Sequence, residues 1–144
     1  MTTATMSLEG IAFAFADALA DGCGAEIPGL QVVPWVNNAP TPPSIDIYPS
    51  DPFIDPAGFG VQDALLAWVV RARVSQVDPM SGMRILYRLM DPGDPAGVEP
   101  ALADVAVLAQ GGLSGWRTYP SEATGDQLLG CEWRFQRFLI GDGA

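Results

Sequence analysis

The stretch "LLGCEWRFQRFLI", residues 128–140, constrains the fold more than any other part of the chain. Leu129, Cys131, Trp133, Phe135 and Leu139 alternate with Gly130, Glu132, Arg134 and Gln136. Alternation with a period of two puts successive side chains on opposite faces of a β-strand. One face is dry and one is polar. A strand this long needs a sheet to join and an apolar layer to cover its dry face.

The remaining sequence supplies both. A chain of 144 residues is expected to be one domain, and at that size folding buries roughly 70% of the unfolded surface. Leu8, Ile11, Phe15 and Leu19 recur at helical spacing, with Ser7 placed to cap the helix, Glu9 in its first turn and Gly22 placed to end it. "LQVVPWV" reads as a short strand whose internal proline confines it to an edge or a bulge. A stiff connector, "NNAPTPP", leads to a second short strand, "SIDIY". Residues 1–6 read as a disordered start, and 7–141 as a single domain with an irregular Pro/Gly loop at about 49–61.

"VQDALLAWVVRARVSQV" reads as a long strand. Leu66, Trp68, Val70, Ala72 and Val74 form its apolar face, and Arg71, Arg73 and Ser75 make the other face polar. Asp78-Pro79 is a helix start, a capping residue followed by proline at the first helical position. Met83, Leu86, Tyr87 and Met90 are expected to face inward from that helix. A further helix is expected over 98–109, with Leu102, Val105, Ala106 and Ala109 inward and Gly111-Gly112 stopping it. "SGWRTYP" reads as a strand and "SEATGD" as a turn before the terminal strand. The expected fold class is α+β, a largely antiparallel sheet of four to five strands with helices packed on one face.

The residue inventory narrows the chemistry. The chain has no histidine, which removes Ser-His and Cys-His catalysis and the commonest zinc sites. Cys23 and Cys131 are expected to be free, partly buried thiols. Asp46, Asp51 and Asp55 cluster in a proline-rich region, where a divalent cation is one reading and turn chemistry on a solvated loop is the stronger one. No catalytic, cofactor or metal-binding residues are expected, and the protein is not expected to be an enzyme. The net charge is −10, with seven arginines as the only basic residues. Such a chain repels a phosphate backbone instead of releasing its counterions. The N-terminus is not expected to be a signal peptide, since Glu9 and Asp17 interrupt its apolar stretch and no basic residues precede it. No segment approaches the roughly 20 apolar residues that span a bilayer. Interface candidates are Arg71, Arg73 and Arg134, which would share one polar sheet face, and Phe53 and Phe59, apolar rings in a Pro/Gly-rich segment.

The order of these features resembles the tail terminator family of long-tailed bacteriophages. A capped helix is followed by a valine-rich strand and "NNAPTPPSIDIYP", then by the long strand ending at "RARVSQV". Next comes "YRLMDPGDPAGVEPALADVAVLAQGG", and last the strand opening "LLGCEW". The resemblance covers residues 7–140 and lies in order and spacing, not in a catalytic motif. It implies a structural virion protein that assembles in the host cytoplasm. It implies a homohexameric ring at the head-proximal end of the tail tube, which stops tube growth and offers a joining surface to the head. The implied partners are the tail tube protein on one side and a head-completion or connector protein on the other. The ring would enclose the DNA path without binding nucleic acid specifically. From the residues alone, another neck or tube subunit and a small cytoplasmic ligand-binding α+β dimer fit as well.

Overall fold

The computed structural model describes residues 8–38, 40–56, 64–103, 109–120 and 127–139. Ser7, the expected cap of the first helix, lies outside them. The elements run α1 (Leu8–Glu26), β1 (Gln31–Val33), β2 (Ser44–Pro56), β3 (Ala64–Ser75), α2 (Pro79–Met90), α3 (Val98–Ala101), β4 (Ala109–Pro120) and β5 (Gln127–Leu139). They make an α+β fold with one five-stranded sheet in the order β1-β2-β3-β5-β4. β1 pairs with β2 in parallel, and the other three pairs are antiparallel.

The alternation at the C-terminus does what its pattern requires. Leu129, Cys131, Trp133 and Phe135 are buried, and Trp133 is fully enclosed. Their cross-strand partners on β3 are Val74, Ala72, Val70 and Trp68, all buried. Phe15 and Leu19 of α1 and Leu86 and Leu89 of α2 close the same core. The Phe15 ring lies 6.0 Å from that of Trp68 and 6.4 Å from that of Phe135, both in tilted contact. Cys23 and Cys131 are free and buried within this cluster, and the Cys23 thiol donates to the carbonyl of Gly97 at 3.7 Å.

Several elements differ from the sequence reading. α1 runs through Gly22 to Glu26 instead of ending there. A Cβ at Gly22 would come within 2.7 Å of Ala101 Cβ, so this glycine lets α3 approach α1. The stretch expected as an irregular loop from about 49 is strand as far as Pro56. Its prolines are accommodated because β1 pairs only with Ser44–Asp46, leaving the outer side of β2 unpaired beyond that point among the described residues. Residues 50–53 also bulge out of register, standing opposite Ala67 alone. The loop's remainder, 57–61, lies outside the described residues.

The helix expected over 98–109 is the short α3, and Ala109 already belongs to β4. Gly111-Gly112 therefore lie inside a strand and stop no helix. Leu102 is buried as expected, while Val105 and Ala106 lie outside the described residues. α2 starts as its sequence dictates. Asp78 caps it, accepting from Ser81 N at 3.3 Å, with Pro79 at the first helical position. Its buried face is Gly82, Leu86 and Leu89, and Tyr87 points outward, 62% exposed.

Candidate assembly surfaces

The face of the sheet opposite the helices is built by register. β3 and β5 are neighbours, so Arg71 stands across from Glu132 and Val69 across from Arg134. β2 adds Ser44 opposite Arg73, Asp46 opposite Arg71 and Tyr48 opposite Val69. β4 adds Arg117 opposite Gly130 and Tyr119 opposite Leu128. Arg71, Arg73 and Arg134 therefore do share one face.

Two of these arginines are occupied within their own chain. Asp46 has no exposed surface. Its carboxylate accepts from Arg71 Nε at 3.1 Å and Arg71 Nη2 at 2.5 Å, and from Arg73 Nη2 at 3.3 Å. It also accepts the backbone N–H of Asn37 at 3.0 Å, while Arg73 Nη2 donates to the Asn37 carbonyl at 2.6 Å. The β1–β2 connection is thus pinned at Asn37 across the open face of the sheet. Arg73 is 3% exposed, so two of the three arginines expected as interface candidates spend their guanidinium forks on a carboxylate of their own chain. Burial opposes the charge on Arg71, but the hydrogen bonds it donates to Asp46 and the charge of that carboxylate outweigh it and hold the guanidinium above its ordinary pKa. For Arg73 burial prevails and lowers the pKa, though a guanidinium stays charged at any physiological pH. Asp46 is therefore a buried strand residue held by two arginines and not a turn residue on a solvated loop, and the side chains of Asp51 and Asp55 lie outside those described.

Aromatic rings frame this cluster. The Arg71 guanidinium lies 5.1 Å from the Tyr48 ring centre and 5.5 Å from that of Tyr119. Tyr119 donates its hydroxyl to Glu132, which also pairs with Arg117 at 3.0 Å. Burial, then the hydrogen bond and charge of Glu132, push the Tyr119 phenol well above its ordinary pKa. Gly130 makes the ring's position possible. A Cβ there would run into the Tyr119 ring and come within 2.5 Å of the Ala72 carbonyl.

Arg134 is half-buried on this face, with no ion pair among the described residues, and remains an interface candidate. The backbone of Phe53 lies in the bulged part of β2, but its side chain, like the whole of Phe59, lies outside the described residues.

Sequence reasoning missed two exposed tryptophans. Trp35 follows edge strand β1 and is 57% exposed, beside Val36. Trp116 lies on the opposite edge strand, β4, and is 61% exposed, near exposed Leu113. By register Trp116 is across from Cys131, on the helix side of the sheet, where the described helices do not reach it. Strand periodicity alone marks Trp116 as core. The signal that separates these residues from the core tryptophans is charge. The two longest runs without an acidic residue, 27–45 and 105–121, are the runs that hold them.

A shallow groove of about 190 Å³ lies between Pro42-Pro43 and the start of α2, lined also by Val74, Val77 and Ile85. It falls below the range of roughly 300–1,000 Å³ typical of small-molecule sites. Among the described residues no cluster of three metal-ligating side chains occurs, and no helix is long and apolar enough to cross a membrane. Compared with known proteins, the chain matches no family model, and no curated protein matches it.

Proposed function

We propose that this protein is a structural ring subunit of a long-tailed phage particle. It acts as a tail terminator that caps the head-proximal end of the tube and provides the joining surface for the head. The observation that carries the reading is a sheet with two unlike edges. β1 is three residues long and pairs in parallel, whereas β4 is twelve residues long and antiparallel. A closed ring is built from head-to-tail contacts, in which two different surfaces of one subunit meet. A subunit open at two dissimilar edges, with a pinned connection across its face, suits that geometry.

Charge supports the same reading. At −10 per chain a six-membered ring is strongly acidic as a whole, and repulsion from phosphates lets a genome pass without adhering. The tube protein and the head's connector would then meet the two rims of the ring. Inactivating the gene in the virus or prophage that carries it tests this directly. The expected result in electron micrographs is filled heads without tails, beside free tails of irregular, excessive length. Normal particles with tails of regular length would overturn the reading.

A further inference from the structure

We propose that copies of this chain join head to tail through two unlike apolar patches. Trp35 and Val36, beside β1 of one copy, pack against Leu113 and Trp116, on β4 of the next. The closure of such contacts into a ring rests on the function proposed above. The contact itself rests on the exposure, the placement and the charge of these four residues' surroundings.

Two of the four tryptophans do ordinary work. Trp68 and Trp133 are 3% and 0% exposed in the core. The other two are more than half exposed, and each has an exposed aliphatic neighbour, Val36 at 49% and Leu113 at 46%. A single exposed apolar residue needs no explanation. Two tryptophan-bearing pairs at the two opposite edges of one sheet do. Four inter-strand spacings separate those edges, roughly 19 Å, so the patches cannot cover each other within one chain.

Charge points to a second copy as the occupant. Two chains at −10 repel over most of their surfaces. The runs holding these patches, 27–45 and 105–121, contain no acidic residue, and Arg117 is the only charge in either. In the fold Glu99 comes beside Gly112 and Glu132 pairs with Arg117, so acids stand at the margin of the β4 patch but not among the residues of either patch, and two acidic copies approach there at less electrostatic cost than through their acid-bearing stretches. Loss of charge together with tryptophan is also the composition of an interface core. Arg117 lies on the opposite face of β4 from Trp116 and is paired with Glu132, which leaves Trp116 and Leu113 themselves as an uncharged patch.

The Trp35 patch is also held ready. Asn37, two residues on, is held through both peptide units that flank its Cα, its N–H donating to Asp46 at 3.0 Å and its carbonyl accepting from Arg73 at 2.6 Å. A loop pinned before binding loses less conformational entropy on association. The buried Asp46–Arg73 pair thereby acts at a distance as a positioning device for the contact.

Cysteine cross-linking tests the contact on the intact chain. The native thiols are buried, so thiols placed at Val36 and Leu113 dominate the chemistry. Under mild oxidation, a mixture of Val36→Cys and Leu113→Cys proteins should give a two-chain product at least tenfold faster than either protein alone. The chain carrying both substitutions, assembled into particles, should give a ladder that closes at six. Equal or faster linkage of Leu113→Cys protein with itself would overturn the proposal in favour of a two-fold contact. So would the absence of any inter-chain product from particles containing the doubly substituted chain. A ladder closing at another number would support the contact and count against the six-membered ring, so the two ideas fail separately.

Discussion

Asp46 and Arg73 form a cross-strand ion pair removed from water, with Nη2 3.3 Å from Oδ2 and exposures of 0% and 3%. Arg71 completes the clasp from two positions earlier along β3. Ion pairs buried this deeply are seldom strong net stabilisers, because desolvating two charges offsets their attraction. What they enforce is geometry. Here the geometry is the seating of Asn37, and with it the exposed Trp35, against the sheet.

Removing one member of the clasp leaves the others buried and uncompensated. Asp46→Asn is expected to lower unfolding stability by about 3–5 kcal/mol, the usual cost of breaking a buried pair from one side. Arg117→Ala, at a side chain 65% exposed, removes a solvated pair with Glu132 and should cost no more than about 1 kcal/mol. Urea denaturation of both variants checks the contrast. Equal effects would mean that Asp46 is far better solvated than its burial indicates.

Gly130 is expected to resist even a methyl group. Gly130→Ala would press on both the Tyr119 ring and the Ala72 carbonyl, and overpacking of this kind costs about 1–3 kcal/mol. Pairing it with Tyr119→Ala should restore only part of the loss, because the backbone carbonyl cannot withdraw. Thermal melts of the single and double variants measure this, and full recovery in the double variant would assign the whole conflict to the ring.

The two thiols make stability fall in alkaline solution. Burial pushes Cys23 up to about 11 and Cys131 up to about 12, from an ordinary 9.0. A group whose folded pKa is raised contributes fully below its unfolded pKa, and that contribution is lost as pH rises through the folded one. The window is therefore pH 9 to 11, where each thiol should remove about 1.4 kcal/mol per pH unit. Denaturant titrations across that range check the slope. Cys131→Ala should start from a lower stability and show a shallower decline. At pH 8 both thiols should resist alkylation until the chain unfolds.

Much of this fold was legible wherever a pattern met a single physical demand. The alternation of β5 and β3 set their inner faces, and Asp78-Pro79 set the start of α2. Legibility ended where tertiary context overrode local rules. Gly22 reads as a helix stop, but Ala101 requires it inside the helix. Prolines 49, 52 and 56 read as loop, but a bulge and an unpaired edge admit them to β2. Asp46 reads as one of three clustered acids until register sets it against Arg71 and beside Arg73. Trp116 obeys strand alternation and still emerges exposed, because no described helix covers it. Alternation assigns the arginines the right face but not the right partner, since sequence does not tell an acid of the same chain from an acid of a neighbour.

The proposed function has this chain closing into a six-membered ring at the top of a tail tube through its two sheet edges. A reconstruction of the assembled particle, with this chain placed in its density, is the most direct measurement. Six copies are expected between tube and head, with Trp35 of each subunit against Trp116 of the next. A ring of another order, or placement of the chain away from the head-proximal tube end, would contradict it.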